Sequence, residues 1–382
     1  MMKILIFAPR FHENMFGMVR GLLDAGHSVT VAALQPRADS SLDLKVEYVH
    51  LRTLPSVSDP SRRGRRRKRL APPRPVDILR LFAEAKPDVV LVKHITTTAL
   101  ILSFVAHLWG ARPVMYSNDS PRQTLGWARR YRWFSRLGLM PRHYFLTAYR
   151  PGNGVPLPDE VCLPYAVSLP AGTEQRGYSA TLPLHVLCVG KLGEPRKNNL
   201  MLVRALAPAL RAGRATLTIV GRLNGRTDSP VYQNLLQAIR EEGVTEAVTI
   251  HADLAHSACM ACYQRADLFV LPSRDEGAGM VILEALASGL PVVCSDDAGL
   301  AFCVKPGESG FTFAVDDRDD LAEKINYFLN EPEEIDRMGR QAYENILRFY
   351  TPDRFAQQFE AFVANAFDQQ RLAQTQPSQK KG

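Results

Sequence analysis

Pro272-Ser-Arg-Asp-Glu-Gly-Ala-Gly-Met-Val-Ile-Leu-Glu-Ala-Leu-Ala-Ser-Gly-Leu-Pro-Val-Val-Cys-Ser295 is the stretch whose reading decides the fold. The apolar run just before it, Leu268-Phe-Val-Leu271, predicts a buried strand. Gly277 and Gly279 let the backbone turn sharply, residues 280–288 continue as a helix, and Gly289-Leu-Pro291 stops it. Val292, Val293 and Cys294 open the next strand. The result is a strand-helix-strand unit of a parallel sheet, with its loop at the carboxyl edge where ligands bind in α/β folds.

The loop carries two carboxylates, Glu276 and Glu284. Free N–H groups at the helix start, around Gly277, Ala278, Gly279 and Met280, suit phosphate or hydroxyl oxygens. A carboxylate accepts two hydrogen bonds from vicinal hydroxyls, so each glutamate would face a different part of a polyhydroxyl ligand. The residues alone equally allow Glu276 as a helix-start charge favoured by the dipole and Glu284 as a surface residue.

Upstream, a strand over 185–189 leads into Gly190-Lys-Leu-Gly-Glu-Pro-Arg-Lys197. Lys191, Arg196 and Lys197 stand at the mouth of a strand-loop-helix unit, either as a diphosphate clamp or as a solvated charged loop. Strands follow over 216–221, ending in Gly221-Arg222, and over 248–253.

The amino-terminal part opens as β-α-β: strand 3–8, helix 15–25, Gly26 as its C-cap, His27 as a cap residue, strand 28–34. His12, in the loop after the first strand, is either an acceptor contact or a plain loop residue. Further strands end at Lys93-His94 and at Ser117-Asn118-Asp119.

At 382 residues the chain exceeds one core, so two domains are expected. The composition is that of an ordinary soluble globular protein, 46% hydrophobic and 23% charged, and the net charge of +8 favours polyanionic surroundings. The basic surplus concentrates in residues 62–69 and in Trp127-Ala-Arg-Arg-Tyr-Arg-Trp-Phe-Ser-Arg136. The first reads as a solvated loop; the second reads either as a helix lying on a membrane interface or as one burying its aromatics. No nucleic-acid recognition pattern accompanies them. The six cysteines lack disulfide-framework spacing, and His256-x-x-Cys259-x-x-Cys262 falls short of the four ligands of a closed zinc site. Cys259, Cys262 and Tyr263 read instead as the inner face of a helix. Met1-Met-Lys-Ile-Leu-Ile-Phe-Ala runs straight into a strand pattern, so a cytoplasmic chain is expected, with peripheral attachment at the inner face of the membrane an alternative that the basic stretches leave open.

Glu276 and Glu284, with seven residues between them, within Pro-Ser-x-x-Glu-Gly-x-Gly and Leu-Glu-Ala-x-Ala-x-Gly-Leu-Pro-Val-Val, resemble the signature of family 4 retaining glycosyltransferases of the GT-B fold. The resemblance covers residues 189–350. It implies two Rossmann-like domains facing each other across a cleft: 1–170 for the acceptor, 171–350 for a nucleotide-sugar donor. A helix over 351–368 would return to the first domain, followed by a polar tail over 369–382. It implies catalytic roles for Glu276, Lys197 and Lys191, and donor contacts from Gly190, Arg196, Gly221, Arg222, residues 277–280 and Glu284. Sugar transfer would proceed with retention, to an acceptor glycan or lipid-linked acceptor, without a metal or other cofactor. The acceptor side would draw on His12, His94, Asn118 and Asp119. Family members carry a glycine pair in the first loop and a His-Asp pair at 118–119. The chain has neither, which keeps two rivals open: a GT-B nucleotide-sugar epimerase and a non-catalytic sugar-nucleotide-binding scaffold.

Overall fold

The computed structural model describes residues 1–11, 13–35, 46–54, 72–93, 96–117, 144–146, 160–170, 172–173 and 182–375. The chain divides into two compact units, Met1–Ala166 with Pro352–Gly382, and Val167–Thr351.

In the first unit, strands β1 (Lys3–Ala8), β2 (Ser28–Ala33), β3 (Glu47–His50), β4 (Val89–Lys93), β5 (Arg112–Ser117), β6 (Tyr144–Leu146) and β7 (Glu160–Cys162) form one parallel sheet in the order β3-β2-β1-β4-β5-β6-β7. The Val-Val-Leu-Val run of β4 is buried along its whole length, as a parallel strand covered on both faces requires. Helix α1 (Phe16–Asp24) follows a short 3-10 turn at Glu13–Met15, so the first helix of the chain begins one residue later than its pattern suggests. Helices α2 (Pro75–Ala85) and α3 (Thr97–Leu108) complete the described helices of this part. Pro75 starts α2, where its missing N–H costs nothing. Thr96 caps α3, its side chain accepting from the Ala99 N–H at 3.1 Å.

The second unit repeats the plan. Strands β8 (Leu184–Val189), β9 (Ala215–Gly221), β10 (Val248–Ala252), β11 (Leu268–Leu271), β12 (Val292–Ser295) and β13 (Gly310–Phe313) run parallel in the order β10-β9-β8-β11-β12-β13. Between and after them come α4 (Asn199–Arg211), α5 (Pro230–Glu241), α6 (His256–Arg265), α7 (Met280–Ala287), α8 (Arg318–Asn330) and α9 (Glu333–Phe349). One face of the sheet packs Leu202, Leu206, Leu210, Ile325 and Phe328 over Val186, Leu217 and Val270. In both sheets the strand order reverses beside the first strand, next to β1 in one and β8 in the other. Those are the positions at which doubly wound sheets open a crevice.

The last helix, α10 (Pro352–Thr375), belongs to the first unit and packs along α1. It runs past Gln369, where the sequence reads a polar tail, because Arg371-Leu-Ala-Gln are good helix formers. His27 is more than a cap. It is buried, its Nδ1 accepts from the Met2 N–H at 3.2 Å, and its Nε2 lies 2.8 Å from Glu360 of α10, outside hydrogen-bonding alignment.

Candidate active site

Three segments far apart in sequence meet at the reversal point between β8 and β11. After β8 the chain passes Gly190 and Lys191, then makes a 3-10 turn at Pro195–Lys197. Asn198 ends that turn in the left-handed region, φ 52°, and its side chain donates to Asp316 at 3.2 Å. Asp316 also accepts from Arg274, whose backbone N–H donates to the Arg196 carbonyl at 2.7 Å. The loop after β8 is thus stitched to the loop after β11.

The side chains converge on Glu276. One of its oxygens, Oε2, accepts from Arg196 at 2.7 Å and from the Lys197 Nζ. Lys197 and Glu276 are both buried, and Gly190 lies against the Lys197 stem, where a Cβ would stand 3.1 Å from Cδ. Glu194 accepts from Lys191 at 2.7 Å and from Arg196 at 2.8 Å. Burial pushes the Glu194 carboxyl up, but the hydrogen bond from Lys191 and the charges of Arg196 and Lys191 outweigh it and hold it below the usual carboxylate range. Burial pulls Arg196 down, while Glu276 and Glu194 more than restore it, so the guanidinium stays charged. Cys188, at the end of β8, is pushed up to about 12 by burial against the opposing charge of Lys197, so it is no thiolate.

The remaining predicted residues frame this cluster. Gly221 ends β9 beneath the loop after β8: a Cβ there would lie 1.7 Å from the Gly190 carbonyl oxygen, so only glycine fits. Arg222 follows, its carbonyl accepting from the Leu192 N–H at 3.1 Å. Gly277, Ala278, Gly279 and Met280 make the entry to α7, with Gly279 at φ 73° and its carbonyl starting the helix at Ile282. Glu284 is half-buried on α7 and accepts a 2.9 Å hydrogen bond from the Tyr263 hydroxyl. His12, His94, Asn118 and Asp119 lie outside the described residues, as do the basic stretches 62–69 and 127–136.

Sequence reasoning missed four participants: Glu194, Asp253, Tyr263 and Arg274. Asp253 follows β10 at φ 56° and accepts from the backbone N–H groups of Leu223, Asn224 and Gly225 at 2.8, 3.0 and 3.4 Å. Those bonds outweigh desolvation and hold its carboxyl below the usual range. Its role shows only once β9 and β10 are known to be neighbours. On α6, Tyr263 is fully buried whereas Cys259 and Cys262 are half-exposed, which corrects the reading of all three as an inner face: the helix turns a single large side chain inward. No cluster of metal-ligating residues occurs among the described residues.

Residues 180–345 match the model of the glycosyl transferases group 1 family. Over this segment the chain resembles the group 1 glycosyl transferases. A D-inositol 3-phosphate glycosyltransferase of Nocardia farcinica is 31% identical over 221 residues, 56% of this chain and 44% of that protein. A glycogen synthase of Mycobacterium tuberculosis is 34% identical over 168 residues, 44% of this chain and 39% of that protein. The chain thus spans less than half the length of these curated relatives. Across both units it is similar to the Anabaena Alr3699/HepE structure in complex with UDP, with TM-score 0.71 and 17% identity, covering 95% of this chain and all of that one. The fold class is therefore GT-B, with two Rossmann-like units.

Proposed function

We propose that the protein is a glycosyltransferase that moves a sugar from a nucleoside-diphosphate sugar to an acceptor hydroxyl with retention. The observation that carries this reading is the convergence of Arg196 and Lys197 on one oxygen of Glu276 at the reversal point of the second sheet. Two cations stand there with Lys191 nearby, against the carboxylates of Glu276 and Glu194, so the cluster keeps an excess of positive charge for a diphosphate. Donor binding would bring that diphosphate to Arg196 and Lys197 and release Glu276 toward the sugar. The bond from the anomeric carbon to the diphosphate oxygen then breaks with its electron pair leaving on the diphosphate. The acceptor oxygen bonds to the same carbon, and its proton passes to the departing diphosphate. Arg196 and Lys197 stabilise the charge that grows on the leaving group. Glu284 takes the ribose hydroxyls, and the loop 222–225 held by Asp253 faces the base.

The donor reading draws support from structures of the same fold crystallised with UDP and with UDP-glucose. We further propose a lipid-linked or envelope glycan as acceptor, bound by the first unit and reached by peripheral attachment to an anionic membrane at its cytoplasmic face. Residues 1–166 carry 25 basic against 12 acidic side chains, residues 167–351 carry 18 against 24. No described helix is long and apolar enough to cross a membrane.

Calorimetric titration of nucleoside diphosphates and turnover of their sugars test the site. Glu284→Ala is expected to weaken nucleotide binding by about 1.5–3 kcal/mol, the worth of a hydrogen bond to a charged group. Glu276→Gln should slow transfer while binding persists, and Lys197→Ala should reduce both. Parent-like binding and turnover in all three folded variants would refute the assignment. Conversion of the sugar nucleotide without any acceptor would mark an epimerase instead.

A further inference from the structure

We infer that Tyr263 is a positioning residue for donor binding, holding the Glu284 carboxylate in the orientation that takes the ribose hydroxyls. The inference rests on the reading of Glu284 given above and adds the group that makes its geometry reproducible.

Glutamate has three side-chain torsions, and a half-exposed glutamate on a helix samples many of them; fixing it for a ligand costs rotamer entropy at the moment of binding. Glu284 is spared that search. Its Oε2 accepts from the Tyr263 hydroxyl at 2.9 Å. The tyrosine is itself immobile: fully buried on α6, its ring stacks on Phe269 of β11 with centroids 5.7 Å apart and planes 28° from parallel. Helix α6, strand β11 and helix α7 are thus tied together by one side chain whose polar end reaches the site. Burial, and then the neighbouring Glu284 charge, raise the Tyr263 pKa well above its ordinary value, so the hydroxyl stays a donor at every working pH. A donor fixed on one carboxylate oxygen orients the plane of the whole group, which is how supporting residues prepare a binding site.

The experiment compares one nucleoside diphosphate, the one among UDP, GDP and ADP that most stabilises the parent in a thermal-shift assay, with its 2′,3′-dideoxy analogue. Both are titrated into the parent, Tyr263→Phe and Glu284→Ala. Phenylalanine keeps the stack on Phe269, and melting temperatures check that each variant is folded. Tyr263→Phe is expected to weaken the ribonucleotide about tenfold, the worth of one such hydrogen bond, and to leave the dideoxy analogue within about twofold of the parent. A tyrosine that merely supports packing would weaken both ligands alike, and that result overturns the inference. Loss of ribose discrimination in Glu284→Ala but not in Tyr263→Phe overturns it too, while leaving the role of Glu284 intact. Full discrimination in Glu284→Ala removes the reading of Glu284 and the inference with it.

Discussion

Lys93 closes β4 with its ammonium almost wholly buried, donating to Asn14 at 3.0 Å and lying 5.3 Å above the Tyr165 ring. Asn14 comes from the loop after β1, so this lysine bridges the reversal point of the first sheet as Lys197 bridges that of the second. The difference is the counter-charge: Lys197 has Glu276, and Lys93 has an amide oxygen. Burial accordingly brings the Lys93 pKa down to about 7. Between that value and the ordinary 10.5 the unfolded chain binds a proton that the folded protein lacks, so stability rises with pH across this window and the cost is constant below it. Lys93→Met should flatten the rise: denaturant titrations at pH 7 and 9 are expected to differ by roughly 2 kcal/mol more in the parent than in the variant. An unchanged slope would mean that the amine keeps its proton. The position of Lys93 at a strand end is legible in the sequence, but the lack of a carboxylate partner for it among the described residues is not, because Asn14 and Tyr165 become its neighbours only through the fold. The positions of the glutamate pair and of the basic residues 191, 196 and 197 are legible for the opposite reason, since each sits on the segment that directly follows one recognisable strand, β8 or β11.

Strands and helices show the same division. The buried run 268–271, the helix from Met280 and the strand from Val292 follow directly from periodicity and from the glycines on either side. What pattern does not show is how loops are held, and here Asp253 matters most. Its carboxylate gathers three backbone N–H groups of the loop after β9. Asp253→Asn keeps the left-handed backbone tolerable but removes the charge that makes the bonds strong. Amide exchange at Leu223, Asn224 and Gly225 should speed up markedly in the variant, with exchange elsewhere in the second sheet unchanged, and nucleotide affinity should fall several-fold. Because the carboxyl is held below its usual range, the parent loop should lose the same protection as pH falls through that lowered value. Gly221→Ala is the harsher change. Its Cβ would meet the Gly190 carbonyl oxygen, so β8 and β9 would have to separate, at a cost of about 2–4 kcal/mol measurable by chemical denaturation.

At the scale of the molecule, the segregation of charge between the units predicts how the protein meets a surface. The parent should co-sediment with anionic liposomes at low salt and be released by high salt, since each basic side chain near such a surface contributes on the order of 1 kcal/mol. Changing Arg65, Arg66, Arg67, Arg129, Arg130 and Arg132 to Gln should abolish sedimentation; equal sedimentation would leave a freely diffusing acceptor as the better account. Activity should also survive a chelator, because Arg196 and Lys197 supply the charge a divalent ion would bring; rescue of a chelated sample by magnesium or manganese would contradict this. Finally, α10 joins the first unit although the whole second unit precedes it in the chain. Gly21 of α1 admits the Pro352 carbonyl so closely that a Cβ would lie 2.0 Å from its oxygen, so this seam is built to be closed. On the ribosome the contiguous residues 167–351 can therefore complete their fold while the first sheet still waits for its last helix. The newborn chain would expose the α1 seam until Pro352–Thr375 has been made and released, and a released chain truncated before Pro352 should be cut by protease in its first unit and spared in its second.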